Sequence, residues 1–360
     1  MDTGMDTGMD DDRRAAFGAH LVSTLTGGAL SMLVSVGYRT GLFEAAATGP
    51  ATSAELADRA GLQERYVREW LGAMVTGGFL EYETASARYT LPPEHACFLT
   101  GTGAANAAPM ASMLRAFAGA LPELERSFST GGGVPHAGFA PHFDAVGATA
   151  GDNWRRIYDE QLVDGFLAAV PGLVDRLGEG VRVLDLGCGT GHAVTVAARA
   201  FPASEFTGLD IDERGIATAE AERAGLGLDN ASFVVADAAA LAPTPPFDVI
   251  LAFDAVHDQH SPAEVLRRVR AALAPGGVFV MVDAKFSSHL ENNIGNPFAA
   301  LCYAISLMYC TTTSLAEGGA ALGAMWGTET ACRMLGEAGF DEVEVVDSPR
   351  PQNCLFICRT

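Results

Sequence analysis

The residues best suited to chemistry lie in the second half of the chain. Val183 to Ala193 reads VLDLGCGTGHA, an apolar run that ends in an acid, Asp185, and opens into Gly187, Gly189 and Gly191. A glycine-rich turn from a strand into a helix lets backbone amides face a bound ligand. Cys188 sits inside this turn, where a small side chain is needed, and reads as steric filling and not as a nucleophile. Asp210, followed by Ile211, ends a second run, FTGLDID, at the position where a carboxylate accepts both hydroxyls of a ribose. Further on, FDVILAFD runs into AVHDQHS. His257 therefore follows a strand, at the carboxyl edge where ligands bind in open α/β sheets, and an imidazole titrates near neutral pH. It is the first candidate for a general base, a role worth roughly 10²–10⁴-fold in rate; the competing reading is that it only lines the ligand pocket. Asp258 is the candidate to orient it, although adjacent side chains do not face each other on a helix. Glu160 is the second candidate base, because a carboxylate beneath an apolar lid has its pKa raised. His257, Asp258 and His260 can also gather a metal, but no second ligand cluster accompanies them, and no metal is expected.

These residues need a sheet to position them. Val183–Leu186, which holds Asp185, is followed by Phe206–Asp212, Ser232–Asp237 and Phe247–Asp254, which read as successive strands ending in acids. A helix over Pro262–Leu273, a turn at Pro275-Gly276-Gly277 and a fifth strand over Val278–Val282 follow. Glu342–Val346 and Cys354–Cys358 supply the last two strands, expected as an antiparallel hairpin that closes the sheet. Upstream, Asn153–Val170 reads as one long helix carrying Tyr158, Asp159, Glu160 and Asp164, with Asp159 and Asp164 equally readable as a solvated face. Between the fifth strand and a helix starting near Thr328 lies an insertion, 286–327, rich in large apolar residues such as Phe298, Tyr303, Tyr309 and Trp326. It reads as a lid over an apolar acceptor, or as packing against another domain or subunit.

The first part of the chain has a different pattern. MDTGMDTGMDDD opens an acidic tail over 1–14 with no apolar core. Leu30, Leu33 and Val34 share one helical face, and Gly37 and Gly41 are expected to interrupt that helix. Thr52 or Ser53 can cap the next helix with Glu55 in its first turn. Glu64–Thr76 forms another, with Val67, Trp70, Leu71 and Met74 on one face, and a short hairpin follows. Three helices and a hairpin over 15–100 make a winged-helix-like arrangement. The segment 101–150 is rich in Ala and Gly, expected to be a helical or flexible linker with a break at Gly131-Gly132-Gly133.

Composition sets limits. At 360 residues the chain has room for two domains, and its net charge of −21 argues against a nucleic-acid or anionic-membrane surface. Residues 51–100 hold seven acids against four arginines, and Glu64 and Glu69 flank Arg65 and Arg68, so no basic face emerges on the candidate recognition helix. Two uncharged stretches, Leu21–Tyr38 and Asn292–Ala316, are broken by Gly, Ser, Thr or Asn and are not expected to span a membrane. Seven cysteines without a CxxC pair suit buried thiols in a reduced, cytoplasmic setting.

The order D-L-G-C-G-T-G, with the acid before the first glycine, resembles motif I of class I S-adenosylmethionine (SAM) methyltransferases. Nearly the whole chain resembles actinobacterial SAM-dependent methyltransferases that carry an N-terminal winged helix and are often labelled transcriptional regulators. DLGCGTG, FDAVHDQ, SLAEGGAALGAMWG and AGF carry that resemblance. More distantly, the domain order and the His-Asp pair resemble small-molecule O-methyltransferases, in which a histidine is the general base. The resemblance implies an α/β fold: a Rossmann-like class I methyltransferase sheet with helices on both faces over 151–360, and a mostly helical winged-helix-like domain before it. It implies SAM as cofactor, cradled by the turn, with Asp237 near the adenine amino group. Tyr158, Asp185, Gly187, Cys188, Gly189, Gly191, Asp210, Ile211, Asp237, Ala238 and Phe253 are then the expected cofactor-binding residues, and Tyr158 and Glu160 are expected to face the site. The implied activity is methyl transfer to O or C of an apolar or aromatic metabolite, by a homo-oligomer. The alternatives are a SAM-binding winged-helix transcription regulator and a non-catalytic SAM-binding protein.

Overall fold

The computed structural model describes residues 9–146 and 151–359; the acidic repeat at 1–8 lies outside the described residues. The chain divides into two compact units, Met1–Arg115 and Ala116–Thr360.

The first unit opens with helix α1 (Asp11–Arg39), capped by Asp10, whose carboxylate accepts from the backbone N–H of Asp12 and Arg13. Part of the expected tail is thus helical. The helix also runs unbroken through Gly37, contrary to expectation. A Cβ there would lie 2.5 Å from Trp70, so this glycine serves close packing and not termination. Helix α2 (Leu42–Ala47) precedes α3 (Ser53–Ala60), which starts from a reciprocal capping box between Thr52 and Glu55. Helix α4 (Glu64–Thr76) buries Val67, Trp70, Leu71 and Met74, the face expected from their spacing. These pack with Val34, Phe43 and Leu56, and the Trp70 Nε1–H donates to Leu33 O at 2.9 Å. Strands β1 (Glu81–Glu83) and β2 (Arg88–Thr90) complete the winged-helix element order as an antiparallel pair. Helix α5 (Pro93–Ala96) follows.

Helices α6 (Ala108–Gly119), α7 (Leu121–Thr130) and α8 (His136–Val146) fill most of the segment that composition left undefined. The expected break at Gly131-Gly132-Gly133 is a tight crossing: a Cβ on Gly133 would sit 1.8 Å from Thr312 O, and the Val134 N–H donates to Thr312 Oγ1 at 2.9 Å. Helix α9 (Asp152–Gln161) passes into a π-helical turn at Leu162–Leu167, so the expected long helix changes pitch midway. Helix α10 (Leu173–Glu179) leads to the sheet.

That sheet has seven strands: β3 (Arg182–Leu186), β4 (Glu205–Asp210), β5 (Ala231–Val235), β6 (Phe247–Phe253), β7 (Leu273–Ala284), β8 (Glu342–Asp347) and β9 (Asn353–Arg359). Their order is β5-β4-β3-β6-β7-β9-β8. All adjacent pairs from β5 to β7 are parallel, and β9 runs antiparallel between β7 and β8. The Pro275-Gly276-Gly277 turn is absorbed into β7 beside a register shift against β6. Helices α11 (His192–Ala200), α12 (Glu213–Leu226) and α13 (Pro262–Ala272) are the crossovers. Central strands are buried along nearly their whole length, as parallel strands covered on both faces must be. Ile250, Phe279, Met281 and Phe356 pack with Val265, Leu266 and Val269 of α13.

The insertion 286–327 holds α14 (Leu290–Asn293), α15 (Ala299–Ile305), a π-helical turn at Ser306–Thr311 and α16 (Thr312–Ala316) before α17 (Thr328–Glu337). Asp11–Arg39 and Ala299–Ala316 are long and apolar enough to cross a membrane, with mean hydropathies of 1.4 and 1.3. The second changes pitch at the π-turn and buries Ser306, Thr312, Thr313 and Ser314.

Candidate active site

The glycine turn is built where β3 lies between β4 and β6, the reversal point at which open α/β sheets leave a crevice. The amides of Gly187 and Cys188 donate to Leu209 O at 2.8 and 3.1 Å, pinning the turn to the end of β4. Gly191 is at φ +73°, and a Cβ there would lie 2.4 Å from the Phe233 ring, so both conformation and space require glycine. At Gly189 an added Cβ would meet nothing within 4 Å; it would project into the open cradle of the turn. Asp210 Oδ2 accepts the Gly189 N–H at 2.7 Å, and its Oδ1 accepts the Asp212 N–H at 2.9 Å. Beside it Ile211 is 72 % exposed, an apolar surface next to the carboxylate. Asp237 accepts from the Ala239 N–H at 2.8 Å and caps the short turn that starts at the buried Ala238.

Asp185 is buried, and burial followed by repulsion from Asp210 pushes its carboxyl up to about 8. Burial, then Asp185 and Asp210, drives the Cys188 thiol far above the usual cysteine range. A thiol so resistant to ionisation is no nucleophile, which matches its reading as filler.

Helix α9 contributes an aromatic wall. Tyr158 stacks on Trp154 with ring centroids 5.4 Å apart and meets the Phe253 ring edge-on at 5.3 Å. Burial and the neighbouring Asp185, Asp254 and Cys188 hold the Tyr158 hydroxyl well above its ordinary pKa. Tyr158 therefore does reach the glycine turn. Glu160 does not share this setting: its side chain is exposed, and the apolar enclosure that its reading as a base required is not around it. Asp159 accepts from His192 Nε2 at 2.8 Å, while His192 Nδ1 meets Glu222 at 2.7 Å. Asp159 and His192 thus tie α9 to α11 and α12.

His257 is 2 % exposed, and its Nδ1 lies 2.9 and 3.0 Å from the two carboxylate oxygens of Asp283, which is fully buried. Asp283 also accepts from the Trp326 Nε1–H at 3.0 Å and the Ala284 N–H at 2.8 Å. Asp258, expected to orient the imidazole, instead lies 3.4 Å from Nε2 on the opposite side of the ring. The reason is register: Phe253 pairs with Val282, so the carboxylate at the end of β7 comes level with the loop that carries His257. Burial pulls the imidazole pKa down, but the Asp283 and Asp258 carboxylates outweigh it, and His257 titrates well above the usual histidine range. Its Nδ1–H donates to Asp283, while the Asp258 carboxylate lies against Nε2 and the Cys310 thiol is in hydrogen-bond contact with the ring.

Two sets of possible metal ligands meet here, His257–Asp258–Cys310 and Asp254–His257–Asp283, each with ligand atoms within 4.8 Å of one another. His260 belongs to neither; it is exposed, with Nδ1 2.9 Å from Ser261 Oγ. Burial, then Asp258, raises the Cys310 thiol to about 12.

Sequence reasoning missed Asp254, Asp283, Cys310 and Trp326. Asp283 was within reach, because VFVMVD ends an apolar run in an acid just as Asp185 and Asp210 do. Trp326 and Cys310 enter from the insertion, which has no period to place them. The open cradle at Gly189, the exposed Ile211 and the free acceptor on Asp254 fit a nucleoside carrying a cationic amino-acid tail.

Comparison with known proteins agrees with the fold and the two kinds of domain. The model of an Rv2258c-like winged HTH domain matches residues 28–101, and that of a methyltransferase domain matches 177–332. Trans-aconitate 2-methyltransferase of Variovorax paradoxus is 37 % identical over 131 residues, 36 % of this chain and 47 % of that protein. The chain thus spans about half the length of that relative. Acetylserotonin O-methyltransferase of Mus musculus is 29 % identical over 280 residues, 71 % of this chain and 70 % of that protein. The solved human N-acetylserotonin methyltransferase in complex with SAM superposes with a TM-score of 0.72 at 18 % identity, covering 99 % of both chains. The chain thus joins an Rv2258c-like winged HTH domain to a methyltransferase domain, and shares the fold of the solved methyltransferase.

Proposed function

We propose that the protein transfers the SAM methyl group to an oxygen of an apolar or aromatic small molecule, with His257 as general base and Asp283 as the group that orients it. The observation that carries this reading is the buried His257–Asp283 pair at the carboxyl edge of β6 and β7. SAM supplies an already activated methyl group when bound. The chain's own task is then to hold the acceptor in line, exclude water and remove a proton. His257 Nε2 takes the proton from the acceptor hydroxyl, and Asp283 stabilises the imidazolium that forms. Tyr158, Phe253 and Trp154 supply a dry wall between cofactor and base. Ile211, Asp210, Asp237 and Ala238 line the adenosine side. The apolar insertion supports the choice of an apolar acceptor.

A transcription regulator is disfavoured by the fate of its arginines. Arg65 pairs with Glu69, Arg68 with Glu64 and Arg88 with Glu55, while Arg59 donates to Thr48 and to the Gly49 carbonyl. Cations already engaged by neighbouring groups offer little to phosphates. We further assign a reduced cytoplasmic setting, supported by seven free cysteines, and a homodimer built on α1.

The test is incubation of purified protein with methyl-labelled SAM and a metabolite extract, followed by mass spectrometry. A labelled O-methyl product is expected, and it should persist after EDTA treatment. Cofactor binding without any labelled product would sink the enzymatic reading.

A further inference from the structure

Among the described residues, four buried side-chain oxygens have no hydrogen-bond partner, on Gln161, Asp254, Asp258 and Gln352, and Asp254 is the one that directly follows β6. Asp254 follows the last residue of β6 in a left-handed conformation, φ +52°, which side chains other than glycine seldom adopt. Its Oδ1 is buried and accepts no hydrogen bond. An unsatisfied acceptor held inside a cleft marks a ligand contact, since leaving it unpaired costs stability.

Position identifies what the ligand offers. β6 pairs with β3 so that Leu251 lies opposite Asp185. The next residues of β6 therefore run beside the glycine turn. They do so at contact distance, for a Cβ on Gly187 would lie 2.6 Å from that of Ala255. The Asp254 carboxylate, Asp185 and Cys188 all act on the same Tyr158 hydroxyl. The Asp254 carboxylate thus lies near the glycine turn and also near the base, with ligand atoms of Asp254, His257 and Asp283 within 4.8 Å of one another. A hydrogen-bond donor would satisfy this acceptor, which the sulfonium, a cation with no N–H, cannot do. Asp185 is the other carboxyl near the turn, but its oxygens are not among the buried ones left without a partner.

We propose that the Asp254 carboxylate binds the ammonium group of the cofactor's methionine tail, and that this contact fixes the tail so that the methyl group points towards His257. The assignment rests on the methyltransferase reading and names a contact within that site. A charge-assisted hydrogen bond of this kind is worth roughly 10- to 100-fold in affinity.

Two ligands isolate it. S-adenosylhomocysteine has the ammonium, whereas 5′-methylthioadenosine keeps the nucleoside and thioether and lacks the amino-acid tail. Asp254→Asn is the variant of choice because asparagine tolerates the left-handed backbone and has the same size. Calorimetry should show S-adenosylhomocysteine weakened roughly 10- to 100-fold in the variant, with 5′-methylthioadenosine unchanged. Equal weakening of both would overturn the proposal, making Asp254 a support of the turn as a whole. No weakening of either would also overturn it and hand the carboxylate to the acceptor. If the wild-type protein bound neither nucleoside, the methyltransferase reading itself would fail, an outcome distinct from the other two.

Discussion

At the scale of single residues, the catalytic proposal turns on a histidine whose basicity is set by its neighbours. Because Asp283 and Asp258 lift His257 well above the usual histidine range, the imidazolium form predominates near neutral pH. The free base, and with it kcat/KM, should then grow as pH rises towards that raised pKa. Asp283→Asn removes the larger attraction, so the rising limb should move to lower pH while the maximal rate falls roughly 10²–10⁴-fold. His257→Ala should lower turnover by a similar factor and leave S-adenosylhomocysteine affinity unchanged. A pH–rate profile beside calorimetry checks both; equal loss of rate and affinity would make His257 a pocket residue. Asp185, Asp210 and His257 were legible because each ends or follows an apolar run, a pattern that survives without coordinates. Asp283 carries the same signal, but its strand was read as ending at Val282. The partner of His257 was sought next to it in sequence, whereas parallel strands bring partners together from 26 residues away.

At the scale of elements, sheet and crossovers were readable from periodicity and strand-end acids, and the insertion was not. Its helices are short, pass through a π-helical turn, and are held by specific contacts. The clearest of these is at its base, where the two ends are fastened together. Glu329, in the first turn of α17, accepts from Ser288 N–H and Ser287 Oγ, both at 2.7 Å. Ser288 Oγ in turn donates to Trp326 O at 2.7 Å, and Trp326 holds Asp283. The backbone hydrogen bond from Ser288, then the one from the Ser287 hydroxyl, lowers the Glu329 carboxyl to about 2. A carboxylate with its folded pKa depressed contributes stability above its unfolded value, near 4.3, and loses it as pH falls towards the folded one. The fastening should therefore hold at neutral pH and loosen between about pH 4 and 2. Glu329→Gln imitates the loosened state at neutral pH. Hydrogen exchange in peptides spanning 285–291 and 326–332 should quicken, with β6 unaffected; unchanged exchange would show that the ends are held by packing alone.

At the scale of the whole molecule, the longest helix raises the question of what it is for. The first two-thirds of α1 are exposed, including Phe17 at 66 %, Leu21 at 47 % and Leu25 at 65 %. Spaced by four residues, these form one apolar stripe, and Gly28 continues it without a side chain. A stripe of this kind marks an interaction surface, and two explanations compete for it. A membrane would be met by flanking cations, yet Arg13 and Arg14 follow three acids, Asp10, Asp11 and Asp12, in a chain of net charge −21, so no net positive charge faces an anionic surface. A second copy needs no such charge, since two identical stripes are self-complementary across a two-fold axis. The proposed homodimer then places its contact on α1. Replacing Leu21 and Leu25 by lysine puts unpaired charges in that contact and leaves the winged-helix core, which begins near Leu30, untouched. Light scattering on the eluting protein should show a dimer for the wild type and a monomer for the double variant, with S-adenosylhomocysteine affinity retained. A wild-type monomer, or a dimer that survives both lysines, would remove α1 from the interface.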